Sequence, residues 1–408
     1  MKILWVKAGG LVPPDTGGKI RSYNILRELG RQHSVTFFSF YAAHDGDLHP
    51  ALKNIFDQAI CVPLNLPAPK GAAEMFGYGI RLFCSEPYGI SKYCRPQVHR
   101  RLRALLKQET YDVILCDFVS AAGVIPWDSP IPKVLFTHNV EATIWRRHYE
   151  VATHPVWKAI SLLEWRKMEA AELRYLRLAD RVLTVSQTDR DAFSTFLNPA
   201  KMTVISTGVD VDYFHPVPVQ ASPNSLVFTG SMDWLPNEDA ILYFVDAILP
   251  LIKQQRPEVS LEVVGRSPSR KLQALAKSEK SVRLTGWVED IRPFIARGSI
   301  CIVPLRIGGG TRLKIFEAMA MGKAVVSTSI GAEGLPVKSG ENILLADTPK
   351  EFADSVISLL GDAKEQQRLG SAARALVQDN YSWPKVAESF AHTLQELISH
   401  TKQPAMRG

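Results

Sequence analysis

The stretch Cys301 to Leu335, CIVPLRIGGGTRLKIFEAMAMGKAVVSTSIGAEGL, narrows the choice of fold more than any other part of the chain. An apolar, β-rich run from Cys301 to Leu305 leads into three glycines. Thr311 to Ala320 then carries Arg312, Lys314 and Glu317, and Ala324 to Thr328 is a second β-branched run. Strand, glycine turn, helix and strand in that order is a unit of an α/β sheet. A glycine turn ahead of a helix start presents backbone N–H groups and the positive end of the helix dipole, and two cations beside it suit a phosphate or diphosphate. Glu317 lies two turns in, too deep to cap the helix. A carboxylate there is placed to accept from neighbouring hydroxyls, as on a ribose. The plainer alternative is a turn with Arg312 and Lys314 on a wet helix face; it leaves the three glycines and the EAMA-x-GK continuation without a reason.

The start of the chain has the same grammar. KILWV (2–6) is a short apolar strand, Pro13, Pro14, Gly17 and Gly18 make a loop, and Ile20, Tyr23, Leu26 and Leu29 have helical spacing. The loop is neither a Walker A sequence, since Pro13 and Ile20 stand where Gly and Ser or Thr belong, nor GxGxxG. A tight turn and a ligand-facing loop both fit its glycines. Further apolar runs at 34–38, 58–62, 112–116, 133–136 and 181–185 alternate with helical or loop segments, and a second series follows at 226–229, 259–264, 282–285, 300–304, 324–328 and 343–345. This alternation predicts two doubly wound α/β domains with mostly parallel sheets. The Pro/Ser-rich segment 215–225 divides them, giving expected domains 1–216 and 217–380 and a terminal segment 381–408.

At 408 residues, with 46% hydrophobic and 22% charged residues, the chain has material for two ordinary cores. The net charge of +7 fits an anionic substrate, an acidic membrane surface or nucleic acid without choosing among them. The five cysteines show no CxxC and no paired histidine spacing, which argues against a zinc site. The N-terminus lacks a long apolar signal region, and no run of about 20 apolar residues occurs, so a cytoplasmic protein is expected. Residues 66–101 mix Pro, Gly, aromatic and basic residues. We expect an insertion of helices and loops there, either resting on a membrane face or simply covering the domain.

Three more places carry candidate chemistry. FTHNVE (136–141) ends a strand in polar groups at the sheet's carboxyl edge, where such domains bind ligands; a lone histidine is nevertheless often structural. Gly230 and Ser231 end the first strand of the second half and would bring an amide and a hydroxyl to a phosphate, with Arg266 ending the next strand. Trp287 follows Gly286, either to stack on a base or to be buried. Asp210-Val211-Asp212 has the look of a DxD metal pair but lies just before the linker.

With GGGTRLK followed by EAMA, GK and VVST on the page, the segment resembles the donor-site signature of the retaining, GT-B-type glycosyltransferases of family 4. The resemblance implies two Rossmann-like domains facing across a cleft, an acceptor-binding first domain, a nucleotide-sugar-binding second domain, and a terminal helix crossing back to the first. It implies that Glu317 binds the ribose, that Arg312 and Lys314 with the amides of Gly309, Gly310 and Thr311 hold the diphosphate, and that Gly17 and Gly18 lie against donor phosphates and acceptor. It also implies that His138 approaches the donor sugar with Glu141 nearby, and that Gly230, Ser231, Arg266 and Trp287 serve the donor. Residues 207–214 resemble the family's NGVD-x-x-x-F hinge, with Thr207 for Asn. The wider family carries a glutamate where this chain has Gly309. The expected reaction is metal-independent sugar transfer from a nucleotide-diphosphate sugar to a glycan, lipid-linked or small-molecule acceptor, with no cofactor and no nucleic acid and with peripheral contact at the inner membrane face left open. A nucleotide-sugar 2-epimerase of the same fold and a non-catalytic nucleotide-sugar-binding subunit are the alternatives.

Overall fold

The apolar runs become parallel strands, and the computed structural model describes residues 1–43, 49–53, 55–67, 71–81, 84–152, 154–307 and 312–402. In the first half these strands are β1 (Lys2–Ala8), β2 (Ser34–Ala42), β3 (Gln58–Leu64), β4 (Val113–Asp117), β5 (Lys133–Phe136), β6 (Arg181–Thr184) and β7 (Met202–Val204). They form one sheet of order β3-β2-β1-β4-β5-β6-β7. In the second half β8 (Ser225–Thr229), β9 (Ser260–Val264), β10 (Val282–Gly286), β11 (Ile300–Val303), β12 (Ala324–Ser327) and β13 (Leu344–Leu345) form a sheet of order β10-β9-β8-β11-β12-β13. Every pairing between named strands is parallel. β7 was not foreseen, because MTV is too short to stand out from the polar residues around it.

Parallel strands with helices on both faces read as continuous apolar runs. Ile3, Leu4, Trp5 and Val6 are all fully buried, as are Val325 and Val326 of β12. Each large apolar side chain so buried contributes about 1.5–3 kcal/mol, enough to hold the strand ends, and the loops that leave them, in place. In both sheets the order reverses beside the first strand, between β1 and β4 and between β8 and β11. Loops diverge at such a switch point, which is where open α/β sheets receive ligands.

The chain divides into two compact units, residues 1–206 with 386–408, and 207–385. The division falls ahead of the Pro/Ser-rich segment. The last helix, Trp383–Lys402, begins in the second unit and continues as part of the first. At its start Trp383 covers Gly208, where an added Cβ would lie 2.5 Å from the indole, so only glycine fits. Further on, Phe390 stacks on Trp5 at 5.5 Å and meets the edge of Phe136 at 5.3 Å, so the tail helix completes the first unit's core. Asp210 caps a turn, its carboxylate accepting from the Tyr213 amide at 3.0 Å. Residues 66–101 contribute the helices Ala72–Ile80 and Tyr88–Ser91 and the start of Pro96–Gln108.

Candidate active site

β8 and β11 are neighbours, so the loop after each strand opens on the same switch point of the second unit. The helix Leu313–Ala320 starts there, with Arg312 at its N-cap. Gly309, Gly310 and Thr311 lie outside the described residues. Lys314 points back over β8. Its ammonium sits 3.9 Å from the centroid of the Phe228 ring and donates to Asn237 Oδ1 at 2.7 Å. Asn237 Nδ2 in turn donates to the Ser231 carbonyl at 2.8 Å, and the two bonds together specify the amide's orientation. Gly230, at φ +155°, makes the approach feasible: a Cβ there would lie 2.7 Å from Asn237 Nδ2 and 2.8 Å from Lys314 Nζ. Gly265 is required for a similar reason, since its Cβ would fall 1.7 Å from the Gly230 carbonyl oxygen.

Lys314 and Glu317 each keep part of their surface accessible, yet dense surroundings shift both. Desolvation lowers the Lys314 ammonium to about 7, against the pull of Glu317, and raises the Glu317 carboxyl to about 7, against the pull of Lys314. Arg312 is placed differently. It is 5% exposed and donates to the Ile330 carbonyl at 2.9 Å, with Glu333 at 3.4 Å, so its guanidinium braces the turn after β12 beside the helix start. Arg266 Nε donates to Ser231 Oγ at 2.8 Å, and that hydroxyl donates to Asp233 at 2.6 Å. Gly230, Ser231, Arg266 and Lys314 are thus brought together around one strand end, whereas Trp287 stands 73% exposed after Gly286, free of the core. Asn237 is the member that reading the sequence missed. Its only signal was a polar residue in the first turn of a helix directly after a strand-glycine turn.

The first unit builds its own polar centre at the ends of β1, β4 and β5. His138 donates from Nε2 to Asp117 Oδ1 at 2.7 Å and accepts at Nδ1 from Arg21 Nη1 at 3.0 Å, an assignment forced by partners that can only accept or only donate. Asp117 Oδ2 also takes Lys7 at 3.0 Å and the Trp5 indole N–H at 2.9 Å. Both imidazole nitrogens are therefore occupied, and His138 is buried. Gly17 and Gly18 open the helix Gly17–Leu29, and a Cβ at Gly18 would lie 3.9 Å from His138 Nδ1, an ordinary contact. Glu141 sits in the first turn of the helix Glu141–Val151, whose leading amides, of Glu141 and Ala142, donate to the Glu172 carboxylate at 2.8 and 2.9 Å. Burial raises the Glu141 carboxyl to about 7. Lys7, Arg21, Asp117 and Glu172 carried no sequence motif; a charged residue closing an apolar strand, as Asp117 closes VILCD, was the available clue.

Burial, reinforced by Arg21 and Lys7 and opposed by Asp117, lowers the His138 imidazole to about 4. Since the unfolded chain then takes up this proton first, His138 adds stability that is complete above about pH 6.5 and is lost as the pH falls toward 4. Thermal melts of the parent and a His138→Gln variant across that range should show the parent losing ground relative to the variant as acid is added. A constant difference would contradict the assignment. Taking the difference cancels other buried groups such as Glu141.

Among the described residues no helix is long and apolar enough to cross a membrane, and no group of three or more His, Cys, Asp or Glu has metal-holding geometry.

Two doubly wound parallel domains in one chain define the GT-B architecture. The Glycosyltransferase Family 4 model matches residues 16–213 and the Glycosyl transferases group 1 model matches residues 223–362. The chain belongs to the GT-B glycosyltransferase superfamily. A 44.6 kDa protein of the cps region of Klebsiella pneumoniae is 21% identical over 71% of this chain and 76% of its own length. The D-inositol 3-phosphate glycosyltransferase of Kribbella flavida is 24% identical over 77% of this chain and 80% of its own. Among solved structures, sucrose-phosphate synthase from Thermosynechococcus elongatus superposes with a TM-score of 0.72 at 16% identity, covering 98% of this chain and all of that one. HepE of Anabaena, solved with UDP and glucose, gives 0.65 at 17% identity over 97% and 99% of the two chains.

Proposed function

We propose that the protein is a retaining, metal-independent glycosyltransferase of family 4 that moves a hexose from a nucleotide-diphosphate sugar to a glycan or lipid-linked acceptor. The observation that carries this reading is the desolvated Lys314 ammonium, clamped by Asn237 against a glycine strand end. In the reaction the bond from the anomeric carbon to the β-phosphate oxygen breaks and negative charge grows on the diphosphate. A fixed, partly desolvated cation stabilises that charge with little reorganisation. Gly230, Ser231 and Arg266 are the further diphosphate contacts in this reading, with Gly309, Gly310 and Thr311 supplying amides. Glu317 accepts from the ribose hydroxyls, and Trp287 stacks on the base. The acceptor oxygen bonds to the anomeric carbon from the face the diphosphate leaves, and its proton passes to the departing phosphate, so configuration is retained without a protein nucleophile. Gly17, Gly18 and Glu141 are the first unit's contribution in this reading, and His138, its nitrogens engaged by Arg21 and Asp117, acts as a positioning residue beside Gly18. The HepE structure with UDP-glucose supports a donor of the uridine diphosphate sugar type.

A panel of nucleotide sugars scored by melting temperature tests the reading: one donor should raise it, and the same donor should yield an α- or β-linked product of unchanged anomeric configuration. A donor sugar epimer as sole product would assign the epimerase instead, and no stabilisation by any nucleotide sugar would contradict donor binding altogether.

The shifts at Lys314 and Glu317 set a pH expectation. Below about pH 7 the Glu317 carboxyl takes a proton and loses its charge; above about pH 7 Lys314 loses its charge. Affinity for UDP, measured by calorimetry, is therefore expected to peak near neutrality and fall on both sides. A flat profile from pH 5.5 to 8.5 would contradict the pairing.

A further inference from the structure

A groove of about 400 Å³ opens on the first unit beside the helix Ala72–Ile80. Leu66, Phe76 and Ile80 give it an apolar lining, and Arg81, Lys92 and Arg95 give it a cationic one. Phe76 and Ile80 are spaced to share one helix face, and they are 70% and 62% exposed, a poor arrangement for side chains that water alone would meet. Behind them stands an aromatic bank. Tyr78 lies 4.1 Å from the Tyr88 ring and meets the edges of Trp145 at 6.0 Å and Trp157 at 6.3 Å. Val156, beside Trp157, is also exposed. Tyr88 is buried and Tyr78, Trp145 and Trp157 are half-buried, so this bank supports the helix that carries Phe76 and Ile80. Of the three cations one pairs with a carboxylate among the described residues, Lys92 with Glu74 at 3.9 Å; Arg81 donates to Ser91 Oγ at 3.0 Å and lies over the Tyr88 ring, Lys92 lies over the Tyr88 and Tyr93 rings, and Arg95 donates to the Lys92 carbonyl at 3.1 Å.

We propose that this groove seats a phosphorylated lipid at a membrane surface, with the hydrocarbon chain along Leu66, Phe76 and Ile80 and the phosphate against Arg81, Lys92 and Arg95. Charge complementarity selects the anionic head and the exposed apolar face selects the chain; neither a free phosphate nor an uncharged lipid uses both. The site goes beyond sugar transfer and stands without it.

Flotation of the full chain with vesicles is the test. Binding is expected to vesicles of phosphatidylcholine with phosphatidylglycerol, to be weak with phosphatidylcholine alone, and to weaken as salt is raised. The double variant Phe76→Ser, Ile80→Ser should lose about tenfold or more in vesicle affinity with an unchanged melting temperature, since both side chains are exposed. Arg81→Gln with Arg95→Gln should lose about tenfold to thirtyfold, on the scale of two interfacial cations. Absence of flotation with anionic vesicles would overturn the proposal. So would variants that bind as well as the parent, or a dimer in light scattering that Phe76→Ser abolishes while vesicles are ignored.

Discussion

Replacing Lys314 by Met is expected to lower the turnover of sugar transfer by about 10²–10³, the cost of removing one preorganised charge-stabilising donor. Methionine keeps most of the side chain's length over Phe228, so packing is largely preserved while the charge and its hydrogen bond to Asn237 Oδ1 are removed. Stability should change little, because removing a desolvated charge offsets the hydrogen bond that Asn237 loses. The loss should fall on kcat more than on KM, since the diphosphate charge that Lys314 meets is larger in the transition state than in the bound donor. Arg312 is the poorer probe. Its guanidinium serves the Ile330 carbonyl, and truncating it would leave that group without its partner and confuse a stability defect with a catalytic one. Turnover within twofold of the parent for Lys314→Met would remove the cation from the mechanism.

The second large effect belongs to the first unit. Asp117→Asn should destabilise the protein by about 3–5 kcal/mol, because a carboxylate at the end of β4 is the charge partner of a buried Lys7 and the acceptor that sets the His138 tautomer. The amide is nearly the same size, so the effect tests charge rather than volume. For a chain of this size a loss on that scale lowers the melting temperature by roughly 10 °C. Restoring neutrality with Lys7→Met in the same chain should recover much of the loss, which a purely steric account would not expect. An Asp117→Asn variant melting within 2 °C of the parent would contradict this reading of the network.

The fold was legible because parallel strands buried on both faces announce themselves as apolar runs. β11 and β12 are read directly from CIVPL and AVVST, and the glycines between such runs and the helices are needed where Gly230, Gly265 and Gly208 admit close neighbours. Boundaries set by tertiary contact were less visible: β7 is a strand because β6 offers an edge to Met202–Val204, and MTV alone does not say so. At the candidate site the residue types near Gly230 and Lys314 were legible, but their clamp was not, since Asn237 and Lys314 lie 77 positions apart. The polar centre around His138 shows the same limit. The histidine stood out after its strand, while Lys7, Arg21 and Asp117, which occupy its nitrogens or hold its partner, come from two other strands and a helix. Arg312 and Lys314 look alike in the sequence, yet one braces a loop and the other rests on an aromatic ring; direction along a short helix, not residue type, separates them.

In the proposed function, the end of β8 and the start of the helix Leu313–Ala320 together grip a nucleoside diphosphate. Hydrogen exchange of the full chain with and without saturating UDP, followed peptide by peptide, addresses it most directly, with GDP as the second probe. The account predicts slowed exchange in peptides spanning 230–237 and 312–317, and loss of that protection in Lys314→Met. Protection confined to the first unit, or unchanged in Lys314→Met, would contradict it.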